Sequence, residues 1–94
     1  MCDDTLKIVF SLIENSTTPL VLDADALNCV AKQPKILLRK KAQIIITPHP
    51  GEMSRLTGLA TPLVNAERER VALDFAQKYG VVTVLKGAGT VIAS

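Results

Sequence analysis

Three short apolar runs, set apart by stretches of helical length, constrain this chain more than any other feature. They are Leu20-Val21-Leu22, Gln43-Ile44-Ile45-Ile46-Thr47 and Val81-Val82-Thr83-Val84-Leu85. The second is β-branched at successive positions, the pattern of a strand covered on both faces. Each run ends in polar, proline or glycine residues: Asp23-Ala24-Asp25, Pro48-His49-Pro50-Gly51 and Lys86-Gly87-Ala88-Gly89. Strands that alternate with helices need right-handed crossovers, which give a mainly parallel sheet with helices on both faces. In such a sheet, ligands sit at the C-terminal ends of the strands, where these three turns converge.

The segments between the runs fit that plan. From Asp4 to Glu14, the residues Leu6, Ile8, Val9, Leu12 and Ile13 recur at helical spacing behind acidic residues that suit a helix start. Ala26 to Lys32 continues as a short helix before Pro34, and Ile36 to Arg39 adds a helical turn. Glu52 to Leu56 reads as a short helix closed by Gly58. Pro62 opens a longer one through Tyr79 that turns Val64, Val71, Leu73, Phe75 and Ala76 inward and stops at Gly80. Thr90-Val91-Ile92-Ala93 is a fourth extended run, paired with the third as a hairpin. The chain ends at Ser94, directly after this apolar run, and a longer parent chain is expected.

Composition narrows the function. With 94 residues, almost half of them hydrophobic, the chain suits one small domain or part of one. The 11 basic and 9 acidic residues leave a formal charge of +2 with no basic stripe, so nucleic acid is not implied. The one basic cluster, Arg39-Lys40-Lys41 with Lys35 nearby, suits a solvated turn or helix end better than phosphate steering. Cys2 and Cys29 lack CxxC spacing and support neither zinc nor a disulfide framework, which fits a reducing cytoplasm. No stretch approaches the ~20 apolar residues of a membrane span, and the N-terminus lacks the pattern of a signal peptide.

The chemistry lies in the turns. Asp23 and Asp25 carry the hard oxygen ligands that magnesium prefers, although Asp25 is better explained as a cap for the helix that follows. His49, the single histidine, stands between two prolines that restrict its backbone and can aim it at a ligand, or it serves as a structural hydrogen-bonding group. Glu52 suits a helix N-terminus for dipole reasons alone. Lys86-Gly87-Ala88-Gly89-Thr90 combines a cation with backbone N–H groups that glycine lets approach an anion closely. Its spacing is neither GxxxxGK[ST] nor GxGxxG, and on spacing alone a plain hairpin turn explains it better.

Taken together, Val21-Leu22-Asp23-Ala24-Asp25-Ala26-Leu27-Asn28, Ile46-Thr47-Pro48-His49-Pro50-Gly51-Glu52 and Val84-Leu85-Lys86-Gly87-Ala88-Gly89-Thr90 resemble the NAD(P)H-hydrate dehydratase family of the ribokinase-like superfamily in content, order and spacing. The resemblance runs from Pro19 onward. It implies a three-layer α/β/α fold with a mainly parallel sheet, present over residues 1–94 as a partial domain. It also implies dehydration of hydrated NADH or NADPH driven by ADP or ATP with Mg2+, a repair of damaged cofactor. On that resemblance, His49 lies in the site for the hydrated nicotinamide nucleotide, with Asp23, Asn28 and Glu52 in support. Lys86, Gly87, Ala88, Gly89 and Thr90 contact the nucleotide. No residue is assigned as catalytic, because the glycine-rich GTGD motif that carries the family's catalytic aspartate is absent, as is an upstream substrate-binding segment. No protein metal site is assigned either. The isolated chain is therefore expected to be inactive, and the full-length protein to be a cytoplasmic homo-oligomer. The alternatives are a ribokinase-like kinase acting on a sugar or vitamin precursor, and a non-catalytic nucleotide-binding fragment.

Overall fold

A computed structural model describes residues 2–87 and 89–94, with the side chains of residues 2–5 and 24 left aside. Helix α1 (Cys2–Asn15) leads into strand β1 (Leu20–Leu22) and helix α2 (Ala24–Val30). A 3-10 helix (Pro34–Arg39) precedes strand β2 (Ile44–Ile46), and the chain continues through α3 (Pro50–Thr57), α4 (Thr61–Ala66) and α5 (Arg68–Tyr79). Strands β3 (Val82–Leu85) and β4 (Val91–Ala93) complete it. The sheet order is β1-β2-β3-β4, parallel across the first three strands and antiparallel between β3 and β4. Both the mainly parallel sheet and the terminal hairpin are as expected from the sequence.

Strand order following chain order has a steric consequence. Right-handed crossovers that all step the same way across a sheet deliver their helices to one face. The burial agrees: Ile44, Ile46, Thr83 and Leu85 are fully enclosed, and Leu22 and Ala93 nearly so. These apolar strand residues share one core with Leu27, Met53, Val64, Phe75 and other helix residues. Each fully buried isoleucine or leucine contributes about 1.5–3 kcal/mol relative to exposure. The register puts Val21, Ile45 and Val82 in one row on the opposite face, with Val84 beside Ile92. There Val21 is 65% and Ile92 72% exposed. The two-sided cover read from Ile44-Ile45-Ile46 is thus present on one side only among the described residues, and one helical layer of the expected three-layer fold is in place.

Local differences have local causes. The long helix read from Pro62 to Tyr79 is two helices, because Glu67 (φ −125°, ψ 45°) leaves the helical region between α4 and α5. Leu73 is 41% exposed, on the side of α5 opposite Val71 and Phe75, while Val64, Val71, Phe75 and Ala76 face inward as read. Helix α2 starts at Ala24, two residues earlier than expected, so Asp25 stands inside its first turn and Asp23 directly precedes it. Among the described side chains of α1, only Val9 and Ile13 are buried, in an i,i+4 pair that faces α2 and the 3-10 helix, and Ile8 and Leu12 lie outside. The basic cluster serves structure. Lys40 Nζ donates to the Tyr79 carbonyl at the end of α5, and Arg39 pairs with Glu14 at 3.1 Å.

Candidate functional site

The C-terminal ends of β1, β2 and β3 bring three turns together along one edge. Thr47 N–H donates to the Leu22 carbonyl (3.2 Å), tying the exit of β2 to the end of β1. Lys86 N–H donates to the Pro48 carbonyl (2.8 Å), tying the exit of β3 to the turn after β2. Lys86 Nζ lies 3.4 Å from Asp23 Oδ1, so the first and third turns meet through an ion pair whose two side chains are about half exposed. Asp23, Pro48, His49 and Lys86 are therefore one contiguous ridge, although the residues come from positions 23 to 86 of the chain.

His49 is the N-cap of α3, with Pro50 opening the helix at a position where a missing N–H costs nothing. Its Nδ1 accepts a hydrogen bond from Glu52 N–H (3.2 Å), and Glu52 Oε1 accepts one from His49 N–H (3.1 Å). This is a capping box with histidine in the place usually held by serine or threonine. Because Nδ1 is an acceptor here, the neutral ring carries its proton on Nε2, the tautomer assigned from the bonding pattern. Glu52 is 6% exposed, and its second oxygen lies 3.5 Å from Nε2. The imidazole is half exposed, with Nε2 beside the Glu52 carboxylate. Gly51 makes this pose possible: a Cβ there would stand 3.0 Å from His49 Cε1. Glu52 thus does more than oppose the helix dipole; it braces the histidine.

The turn after β3 is fixed differently. Gly87 has φ 127° and Gly89 has φ 77°, both in the region that side chains disfavour. Among the described residues other than its chain neighbours, nothing lies within 4 Å of where a Cβ would stand on Gly89, so that side of the turn is open. Thr90 Oγ1 lies within 3.5 Å of the Gly87 carbonyl, and Ala88 falls outside the described residues. Among the described residues, no group of three or more histidine, cysteine, aspartate or glutamate side chains is placed to hold a metal.

Asn28 stands apart from the other expected site residues in its bonding. Its Oδ1 accepts from Arg55 Nη1 (2.9 Å), which links α2 to α3. Sequence reasoning overlooked that arginine. It also overlooked Arg68, whose guanidinium donates to the Leu85, Lys86 and Gly89 carbonyls behind the glycine turn. The sequence carried no signal for Arg68, because the helix start that precedes it at Glu67 has no proline or glycine to mark it.

A family model described as NAD(P)H-hydrate dehydratase matches residues 2–94. The chain belongs to the NAD(P)H-hydrate dehydratase family. It is 42% identical over 92 residues to the bifunctional NAD(P)H-hydrate repair enzyme Nnr of Thermofilum pendens, covering 98% of this chain and 18% of that protein. It is 39% identical over 85 residues to the ADP-dependent (S)-NAD(P)H-hydrate dehydratase of Neisseria meningitidis, covering 88% of this chain and 29% of that enzyme. The Bacillus subtilis ADP/ATP-dependent NAD(P)H-hydrate dehydratase, co-crystallised with ATP and Mg2+, superposes with a TM-score of 0.66 at 42% identity. That match covers 80% of this chain and 25% of the other. The chain thus spans less than a third of the length of each of these relatives, and the fold class read from the sequence holds as part of a domain.

Proposed function

We propose that this segment supplies the strand-end ridge on which the whole protein, using ADP or ATP with Mg2+, dehydrates hydrated NADH or NADPH back to the usable cofactor. The observation that carries this reading is the junction of the three turns by the Lys86–Pro48 and Lys86–Asp23 contacts. It sets a glycine turn with a cation next to a half-exposed histidine. Phosphoryl transfer to the ring hydroxyl of the hydrate turns a poor leaving group into a good one, and loss of phosphate then restores the dihydronicotinamide. Such chemistry depends mainly on positioning and on stabilising charge. Lys86 and the turn through Gly87, Gly89 and Thr90 hold the nucleotide, with Ala88 between them. His49, braced by Glu52, donates from Nε2 to the hydrated nicotinamide nucleotide. Asp23 holds the Lys86 ammonium in place and stands near any phosphate-bound Mg2+. Asn28 acts through its bond to Arg55, keeping α2 and α3 in register beneath the ridge.

Residues 1–94 act in this reading as one part of a larger ribokinase-like domain, and the segment alone does not turn over. The parent protein works in the cytoplasm as a homo-oligomer. No described helix is long and apolar enough to cross a membrane, and the aliphatic row of Val21, Ile45 and Val82 calls for cover from further chain or another subunit. The test is recovery of NADH from its hydrate with ADP or ATP. The full-length protein should restore the cofactor, lose most of its activity on His49→Ala or Lys86→Ala, and yield no turnover when cut down to this segment. Formation of a phosphorylated sugar or vitamin precursor without cofactor repair would select a small-molecule kinase instead.

A further inference from the structure

The turn after β3 is grasped from behind by a residue seventeen positions upstream of the strand's end. Arg68 Nη2 donates to the carbonyls of Leu85 (3.1 Å) and Lys86 (2.9 Å), and Arg68 Nε donates to the carbonyl of Gly89 (3.2 Å). Asn65 Oδ1 accepts from Nη1 (3.2 Å) and aims the group. A planar guanidinium with its donors in a rigid fork is the side chain suited to holding several acceptors at once. A Cβ on Gly87 would stand 3.2 Å from both Nη1 and Nη2, so the glycine at 87 answers to this arginine as well as to its own φ of 127°.

In a trans peptide, the C=O and the N–H that follows it point to opposite sides. Arg68 holds the Leu85 carbonyl, and the Lys86 N–H accordingly points the other way, to the Pro48 carbonyl. The same geometry at Lys86 and Gly89 turns the N–H groups of Gly87 and Thr90 away from the guanidinium. We infer that Arg68 is a positioning residue for the Lys86–Thr90 turn. It collects the Leu85, Lys86 and Gly89 carbonyls on one side so that the Gly87 and Thr90 N–H groups face the other, where an anionic nucleotide phosphate is received. This rests on the reading of that turn as a nucleotide site. Arg68 need not touch the nucleotide; it removes the carbonyl oxygens that would repel it and orders the turn before it binds.

Amide hydrogen exchange on the nucleotide-free protein, followed residue by residue in wild type, Arg68→Lys and Arg68→Gln, tests the arrangement, and calorimetric titration with ADP tests its consequence. Lysine keeps the charge and glutamine keeps a donor, but neither reproduces the fork. Both variants should speed exchange at the Lys86 amide tenfold or more while the sheet amides of Ile45 and Val84 stay within about twofold. ADP affinity should fall about tenfold in parallel. Unchanged protection at Lys86, or equal acceleration across the whole sheet, would overturn the inference, since the second result marks a merely structural residue. If the wild type ignores ADP while Lys86 protection still depends on Arg68, the clamp stands and the nucleotide reading fails.

Discussion

The turn after β2 and the turn after β3 stand side by side, joined by the Lys86 N–H to Pro48 carbonyl bond, yet they keep their shape by different means. The first is held by its own residues. Two prolines limit the backbone, Gly51 makes room for the imidazole, and His49 and Glu52 exchange hydrogen bonds across three positions. The second contains little that could hold it. Two glycines at positive φ bring flexibility, and order comes from Arg68 across 17 to 21 positions of sequence. A turn that stabilises itself suits a side chain that must be aimed. One braced from outside leaves its own surface bare for a ligand to approach.

This contrast can be broken in order of expected effect. Gly87→Ala should do the most harm, because alanine must adopt φ 127° and crowd both Arg68 nitrogens. A turn that relaxes out of this shape to escape strain of about 1–3 kcal/mol must regain it to bind, which predicts a loss of roughly 5- to 150-fold in ADP affinity by titration, with little change in the unfolding midpoint. Glu52→Ala should do the reverse. Losing the buried half of the capping box should lower stability by about 1–2 kcal/mol in urea unfolding, while ADP affinity stays within about twofold. Glu52→Gln keeps an amide oxygen for the His49 N–H and should cost about 1 kcal/mol or less by the same measurement. The smallest effect belongs to Asp23→Asn. Its Lys86 partner is 3.4 Å away and both groups are solvated, so loss of that pair should change stability by about 0.5 kcal/mol or less. If Glu52→Ala weakened ADP binding as much as Gly87→Ala, the two turns would not be separate devices.

The difference between the turns also explains what could be read from the sequence. The order of strands and helices, the hairpin and the stops at Gly58 and Gly80 follow from apolar spacing and turn residues, which are local signals. So does the ridge that gathers Asp23, His49, Glu52 and Lys86, because parallel strands must end on one edge. What stayed hidden depends on distant contacts. Arg68 and Arg55 look like ordinary surface arginines until the fold brings Leu85 and Asn28 to them. The break at Glu67 has no proline or glycine to announce it, and Leu73, read as inward, is 41% exposed on the face of α5 opposite Val71 and Phe75. The one-sided cover of the sheet follows from the order β1-β2-β3, which the apolar pattern of Ile44-Ile45-Ile46 cannot reveal.

The central claim, that the strand-end ridge receives a nucleotide at the glycine turn, is tested most directly by following backbone amide resonances during titration with ADP. The account predicts saturable shifts centred on Lys86, Gly87, Gly89 and Thr90, smaller ones at His49, and none at Leu73 on the outer face of α5. Saturating ADP that leaves the 86–90 turn unmoved, or that shifts a different surface, would contradict it.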